Sequence, residues 1–157
     1  MMLRGKKIIG IAIAVALALT SCNRHTIYSH YESVDINGWG SGDSVIFCVN
    51  NSTDSIFNEQ LGLRINSDYP FRNLSLIIEQ HMLHTTKTLK RDTLNLTLAD
   101  EDGFFLGEGL SIYQYDIDLG TIVLPSSDTL EVSVVHNMRR ENLTGIAAVG
   151  ITLQKEP

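Results

Sequence analysis

The sequence has few of the features that mark helical, disulfide-rich or hydrolytic proteins. Beyond residue 21, no stretch sustains apolar residues at i, i+3, i+4 and i+7, which disfavours amphipathic helices. Only two cysteines occur, Cys22 and Cys48, so a framework of several disulfides is excluded. No Gly-x-Ser-x-Gly sequence is present to place a serine in a nucleophile elbow. The sequence therefore gives no positive support for an enzyme.

Long hydrophobic runs are also scarce, and the longest lies at the N-terminus. Residues Ile8 to Leu19 form twelve positions without a polar side chain, after three cations and before the small residues Thr20 and Ser21. This order is typical of a secretory signal peptide. A bilayer span needs about 20 apolar residues, so this run is too short for a permanent transmembrane helix. We therefore expect residues 1–21 to be an export signal.

The residue after this segment predicts a lipid anchor. Leu19-Thr20-Ser21-Cys22 resembles a lipobox, in which the cysteine thiol receives a diacylglyceryl group and becomes the first residue of the mature protein. One acyl chain holds a protein to a membrane only marginally, whereas two or more attach it stably. The alternative is an ordinary thiol behind a plain cleavage site. We predict lipidation of Cys22, which makes the membrane a partner through that lipid.

Basic residues are in the minority, and the signal peptide accounts for part of them. It holds three of the twelve basic residues and none of the eighteen acidic ones, so the mature chain has nine against eighteen, a formal charge of −9. Such a surface repels nucleic acid, which is not expected as a partner.

With Cys22 acylated, Cys48 has no partner for an intrachain disulfide. Because Cys48 lies in an apolar run, we expect it to be a small buried side chain.

The remaining chain is organised as short strands and polar turns. Apolar residues alternate with polar ones at a period of two in several runs, which predicts strands with one buried face. The runs are 45–50, 61–66, 74–82, 94–98, 117–124, 129–135 and 146–153. We predict an all-β protein, an antiparallel β-sandwich of immunoglobulin-like or jelly-roll type. The expected divisions are a signal peptide at 1–21, a lipidated spacer at 22–41 and the sandwich at 42–157.

Three stretches of the mature chain form a set of motifs behind the lipobox. They are Asn66-Ser67-Asp68-Tyr69-Pro70-Phe71-Arg72-Asn73-Leu74, then Leu98-Ala99-Asp100-Glu101-Asp102-Gly103 with Leu106-Gly107-Glu108-Gly109-Leu110, then Met138-Arg139 with Leu143-Thr144-Gly145-Ile146. In order and spacing they resemble one family, the gliding-motility lipoprotein GldH of the Bacteroidota. Thr144 departs from the family pattern, in which proline tends to precede the glycine. The departure affects a loop and not the expected function.

The resemblance implies a non-catalytic envelope lipoprotein that assists gliding motility or assembly of type IX secretion machinery. It implies partners among the envelope proteins of that apparatus and gives no catalytic residue and no cofactor. We predict that Tyr69, Phe71 and Arg72 bind a partner, because aromatic residues and arginine favour interface hot spots. The alternative is that the two rings plug the sandwich and Arg72 ties a loop.

A repeated tripeptide suggests a modification. Aspartate, a hydroxyl residue and an aliphatic residue follow one another four times, which resembles the O-glycosylation signal of Bacteroidota envelope proteins. The candidate hydroxyls are Ser44, Ser55, Thr93 and Thr129. The same tripeptide is also how a strand commonly starts after a turn. Both interpretations stay open.

The sequence also raises the question of a metal site and of a second function. His81 and His84 fall three residues apart near a hairpin, and no further histidine or cysteine lies close, so no metal site is expected. A glycan-binding surface lipoprotein is the alternative function, and it would need an exposed platform of Trp39 with tyrosines. The residues after Cys22 lack an acidic run that resembles a surface-export tag. We therefore expect an outer-membrane protein that faces the periplasm.

Overall fold

The computed structural model of the chain describes residues 26–35 and 37–155. The expected signal peptide and Cys22 lie outside the described residues. The described part contains ten strands and no α-helix. The strands are β1 (Thr26–Ser33), β2 (Trp39–Gly40), β3 (Val45–Asn50), β4 (Ser55–Asn66), β5 (Asn73–Met82), β6 (Lys87–Thr97), β7 (Ile112–Leu124), β8 (Thr129–His136), β9 (Asn142–Leu143) and β10 (Ile146–Lys155).

Eight of these strands form two antiparallel sheets of four. One sheet has the order β1-β10-β4-β7 and the other the order β3-β8-β5-β6, while β2 and β9 make a small separate ladder. Only β5 and β6 are neighbours both along the chain and within a sheet. The predicted all-β antiparallel class is confirmed, and each of the seven runs forms a strand.

The core lies between the sheets and follows the period of two. In β5 the buried side chains alternate with partly exposed ones from Leu74 to Met82, and β8 shows the same alternation from Leu130 to His136. Leu74, Leu76 and Leu130 have no exposed surface. Each such burial stabilises the fold by about 1.5–3 kcal/mol relative to exposure. The local pattern therefore decides which face of each strand turns inward.

The expectation for Cys48 is wrong, because its side chain is exposed. In β3 the inward positions are Val45, Phe47 and Val49, and the alternate positions Ile46 and Cys48 face outward. All five side chains are apolar enough for a core. Since successive strand residues point to opposite faces, only one set can be buried. The larger ring of Phe47 fills the core, where it is 1% exposed.

The sandwich begins earlier in the chain than residue 42. Within the segment expected to be a spacer, Thr26–Ser33 pairs with β10 as an edge strand. Tyr31 holds this strand in place, since its ring covers Gly62 of β4 and Gly150 of β10. A Cβ added to either glycine would lie closer than 3.0 Å to the ring. An aromatic side chain thus replaces the packing that the two glycines lack.

Candidate functional site

The sandwich has two ends, and the chain enters at one of them. Thr26 of β1 pairs with Gln154 of β10, and the cross-strand pairing continues through β4 to Thr121 of β7. These residues therefore lie at the same end of the sheet. We call this the tethered end, and it includes the loops 51–54, 83–86 and 125–128. The opposite, far end includes the loops 67–72, 98–111 and 137–141. All three stretches that resemble the GldH motifs lie at the far end.

Backbone hydrogen bonds join the first two motif stretches. The carbonyl of Arg72 accepts hydrogen bonds from the N–H of Leu98, at 2.7 Å, and of Ala99, at 3.2 Å. The Nε of Arg72 donates back to the carbonyl of Ala99, at 3.2 Å. The side chain of Arg72 is half exposed, and one guanidinium nitrogen lies 3.8 Å from the Glu101 carboxylate. Arg72 therefore ties the loop 98–102 to the start of β5.

The third stretch is joined to the first at Gly145. The N–H of Asn66 donates to the Gly145 carbonyl at 2.9 Å. Gly145 has a φ of +84°, which disfavours residues with a Cβ. The space where a Cβ would lie is also filled by the backbone of Tyr69. This glycine is therefore needed both for its backbone conformation and for the close approach of the two stretches.

The three residues predicted to bind a partner differ in how far they are exposed. Tyr69 is 3% exposed, and its hydroxyl donates to the Asn73 carbonyl at 2.8 Å. Burial raises the pKa of Tyr69 well above its usual value. Its ring meets Phe71 edge to face, at 5.9 Å between centroids, so Tyr69 plugs the sandwich and offers no surface to a partner. Phe71 is half-buried, and partner binding by Phe71 and Arg72 stays a prediction.

The four candidate glycosylation residues do not form one patch. Ser44 and Thr93 are exposed, whereas Ser55 and Thr129 are half-buried. The preceding aspartates have structural roles in two cases. Asp54 accepts a hydrogen bond from the N–H of Ser126 at 2.7 Å. The strand-start interpretation thus has a physical basis at Ser55 and Thr129, and glycosylation stays a prediction.

The second of these aspartates, Asp128, organises the tethered end. Its carboxylate accepts hydrogen bonds from the N–H of His84, the hydroxyl of Thr85 and the N–H of Thr129, at 2.8 to 2.9 Å. Burial alone would raise the pKa of Asp128, but these hydrogen bonds outweigh it and lower the pKa to about 2. The carboxylate therefore stays ionised and holds the loop 83–86 against β8.

Trp39 packs inside the molecule. It is 2% exposed, its Nε1 donates to the Asp43 carbonyl at 2.7 Å, and its ring meets His136 edge to face at 5.3 Å. An exposed aromatic platform therefore cannot include Trp39.

His81 and His84 face different partners, the hydroxyl of Thr88 and the carboxylate of Asp128. Within 26–35 and 37–155, no group of three or more His, Cys, Asp and Glu could hold a metal ion.

A buried carboxylate lies in the core between the two sheets. Glu59 of β4 is 1% exposed, and the Nε2 of Gln80 on β5 donates to its Oε2. Its Oε1 has no hydrogen-bond partner. Burial raises the pKa of Glu59 to about 7, against the opposing effects of the Gln80 hydrogen bond and the charge of Lys90. The period of two in β4 turns Phe57 and Glu59 to the same, inward face. This alternation is the sequence signal that could have identified Glu59 as buried.

Residues 26–153 match the family model described as GldH lipoprotein. The chain is 34% identical over 105 residues to the gliding motility lipoprotein GldH of Flavobacterium johnsoniae, over 65% of this chain and 63% of that one. The chain thus spans a little under two thirds of that relative. It is 26% identical over 159 residues to the GldH homolog of Christiangramia forsetii, over 92% of this chain and 93% of the homolog.

Among solved structures, the chain is similar to a family 35 carbohydrate-binding module from an environmental isolate. The identity is 13%, the TM-score is 0.44, and the match covers 86% of this chain and 85% of the module. A family 35 module from Clostridium thermocellum gives 9% identity and a TM-score of 0.40, over 79% and 89% of the two chains. At these scores the likeness extends no further than a β-rich form. No helix among the described residues has the length and apolarity to cross a membrane.

Proposed function

The chain belongs to the GldH lipoprotein family, and from this premise we propose that it is a non-catalytic accessory of gliding motility or of type IX secretion machinery. As a lipoprotein of this family it is lipid-anchored in the cell envelope. We propose Cys22 as the lipid-bearing residue and the periplasmic face of the outer membrane as its location. Its partners are then envelope proteins of the motility or secretion apparatus.

The position of the motif residues is the observation that carries this proposal. The three stretches that identify the family are distant along the chain, and they meet at the far end through the hydrogen bonds of Arg72 and Gly145. The tethered end lies close to the membrane in this arrangement, because the four residue steps from Cys22 to Thr26 reach at most about 14 Å. The far end then points away from the lipid, where a protein partner can reach it.

The positions of the buried polar groups support an accessory role. Glu59 is one of two buried carboxylates among the described residues, and it lies within the core beside Gln80 rather than in an open cleft. Asp128 and His136 are also buried, and each is hydrogen-bonded to backbone groups that it holds in place. Asp128 and His136 therefore hold backbone groups of the sandwich in place, and Glu59 lies enclosed within it.

The test is complementation of a gliding relative that lacks its own GldH. The full chain and the Cys22→Ala variant are produced at equal amounts, and surface spreading and membrane fractionation are measured. We expect the full chain to restore spreading and to sediment with membranes. The Cys22→Ala variant should do neither, because it lacks the lipidated thiol. Equal spreading by the two variants would contradict the proposal, and protease treatment of intact and of permeabilised cells tests the periplasmic orientation.

A further inference from the structure

A short loop at the far end exposes several large apolar side chains. We call residues 104–112 the apolar loop. The exposed fraction is 71% for Phe104, 58% for Leu106, 94% for Leu110 and 41% for Ile112. Of the nine large exposed hydrophobic residues in the described part of the chain, four lie within these nine positions. Clustered apolar exposure of this kind marks an interaction surface more often than scattered single residues do.

The apolar loop is held in a defined conformation. The N–H of Leu106 donates to the Leu98 carbonyl at 2.9 Å, and Glu108 and Gln114 exchange two backbone hydrogen bonds of 2.8 and 2.9 Å. Beneath the loop, the ring of Phe105 packs on Tyr113 at 4.7 Å between centroids. The exposed side chains are therefore displayed by an ordered backbone, which reduces the entropy lost on binding.

The chain segment that carries the apolar loop is acidic, although two arginines from elsewhere in the chain, Arg72 and Arg64, approach Glu101 and Gln114 within it. Residues 99–116 carry five carboxylates and no lysine or arginine: Asp100, Glu101, Asp102, Glu108 and Asp116. Of these, Glu101 lies 3.8 Å from a guanidinium nitrogen of Arg72. An acidic border is unfavourable against anionic lipid headgroups and against a second copy of itself. It is complementary to a basic border on another protein.

The apolar loop also lies away from the lipid. Thr26 is level with Thr121 of β7, whereas the loop joins β7 at its other end, at Ile112. The nine residue steps from Thr121 to Ile112 separate the two levels by roughly 30 Å. A domain that stands on its tether therefore presents the apolar loop to the space beyond the membrane surface.

We propose that the apolar loop docks into an apolar pocket of an envelope protein whose rim carries lysine or arginine side chains. Phe104 and Leu110 enter the pocket, and Glu101, Asp102 and Glu108 face its basic rim. The proposal rests on the proposed function for the orientation of the domain on its lipid anchor.

The test is site-specific photocrosslinking of the full, lipidated chain in living cells. A photo-reactive amino acid is placed at Leu110 and, as the matched control, at Val123, which is apolar, 64% exposed and near the tethered end. Crosslinked peptides are identified by mass spectrometry. Each form is also produced with Glu108→Lys or with Glu131→Lys, the latter giving the same charge change on β8.

We expect the Leu110 position to crosslink one envelope protein through a peptide that contains apolar residues and lysine or arginine. The Glu108→Lys change should lower this yield by about tenfold, as expected when like charges meet at an interface, and Glu131→Lys should leave it unchanged. A crosslink to lipid or to a second copy of the chain would overturn the proposal. So would a yield no higher than at Val123, or equal yields with the two lysine variants. If the chain sediments with membranes but Leu110 gives no crosslink, the proposed docking surface is wrong and the lipid anchoring is unaffected. If the chain does not sediment with membranes, the proposed function is contradicted instead.

Discussion

The buried Glu59 predicts that this domain loses stability as the pH rises, and that one substitution removes the loss. The perturbation is Glu59→Gln, which keeps the size of the side chain and removes its ability to ionise. A glutamine amide at position 59 can still exchange a hydrogen bond with Gln80. The substitution therefore separates the cost of a buried charge from the packing of the side chain.

The magnitude and sign follow from the pKa of Glu59, which is raised from 4.5 to about 7 by burial. Below pH 4.5 the carboxyl is protonated in both the folded and the unfolded chain, so ionisation costs no stability. Between pH 4.5 and 7 the unfolded chain ionises first, and the free energy of unfolding falls until the folded carboxyl also ionises. At about 1.4 kcal/mol per pH unit, the total loss is about 3 kcal/mol.

The assay is urea unfolding of the mature chain carrying Cys22→Ala, with and without Glu59→Gln, from pH 4 to pH 8. We expect the free-energy difference between the two proteins to shift by about 3 kcal/mol in favour of Glu59→Gln over this range. The matched control is Glu79→Gln on β5, whose side chain is 30% exposed and pairs with Arg91 at 2.8 Å. Parallel pH profiles for the original chain and Glu59→Gln would refute the reasoning, because they would mean that Glu59 ionises freely in the fold.

Three further predictions concern two glycines at positive φ, the exposed thiol and the candidate glycosylation residues. Gly145→Ala and Gly103→Ala both place a Cβ at positive φ, +84° and +87°, but only at Gly145 does the backbone of Tyr69 fill the space. Thermal unfolding should therefore show a cost of about 1 kcal/mol for Gly103→Ala and a cost several times larger for Gly145→Ala, and equal costs would contradict the packing at Gly145. The exposed Cys48 should react with a thiol reagent in the folded Cys22→Ala chain, and a reaction that requires denaturant would show that the thiol is buried. If the glycosylation prediction is correct, the intact mass of the lipoprotein from a Bacteroidota host should exceed its unmodified value and should fall with alanine at the modified hydroxyl. The residues to replace are Ser44, Ser55, Thr93 and Thr129.

The strands and the faces they bury could be predicted wherever the two faces differ in chemistry. In β5, Leu74 and Leu76 alternate with Ser75, so the register of the buried face is fixed by composition alone. In β3, Val45, Ile46, Phe47 and Cys48 are all apolar, and composition does not distinguish the two faces. Packing against the opposite sheet buries Phe47, and Cys48 on the other face is exposed.

β1 shows the same limit at the level of a whole element. Its residues, Thr26–Ser33, have no sustained apolar alternation, because this edge strand buries little surface. What fixes it is the contact of Tyr31 with two glycines that lie 88 positions apart in the sequence, Gly62 and Gly150. No local pattern reports such a contact, which is why the sequence predicts a spacer where the structure has β1.

The sequence by itself predicted an export signal and determined that the chain is acidic, that it folds as antiparallel strands and that it resembles the GldH family. Each of these depends on composition, on a short motif or on a period of two, all of which are local. Only the tertiary structure decided that the three motif stretches meet at the far end, that Tyr69 is buried there, and that Leu110 is exposed. Those outcomes depend on which strands become neighbours, and strand pairing between distant segments is set by the whole core rather than by any one segment.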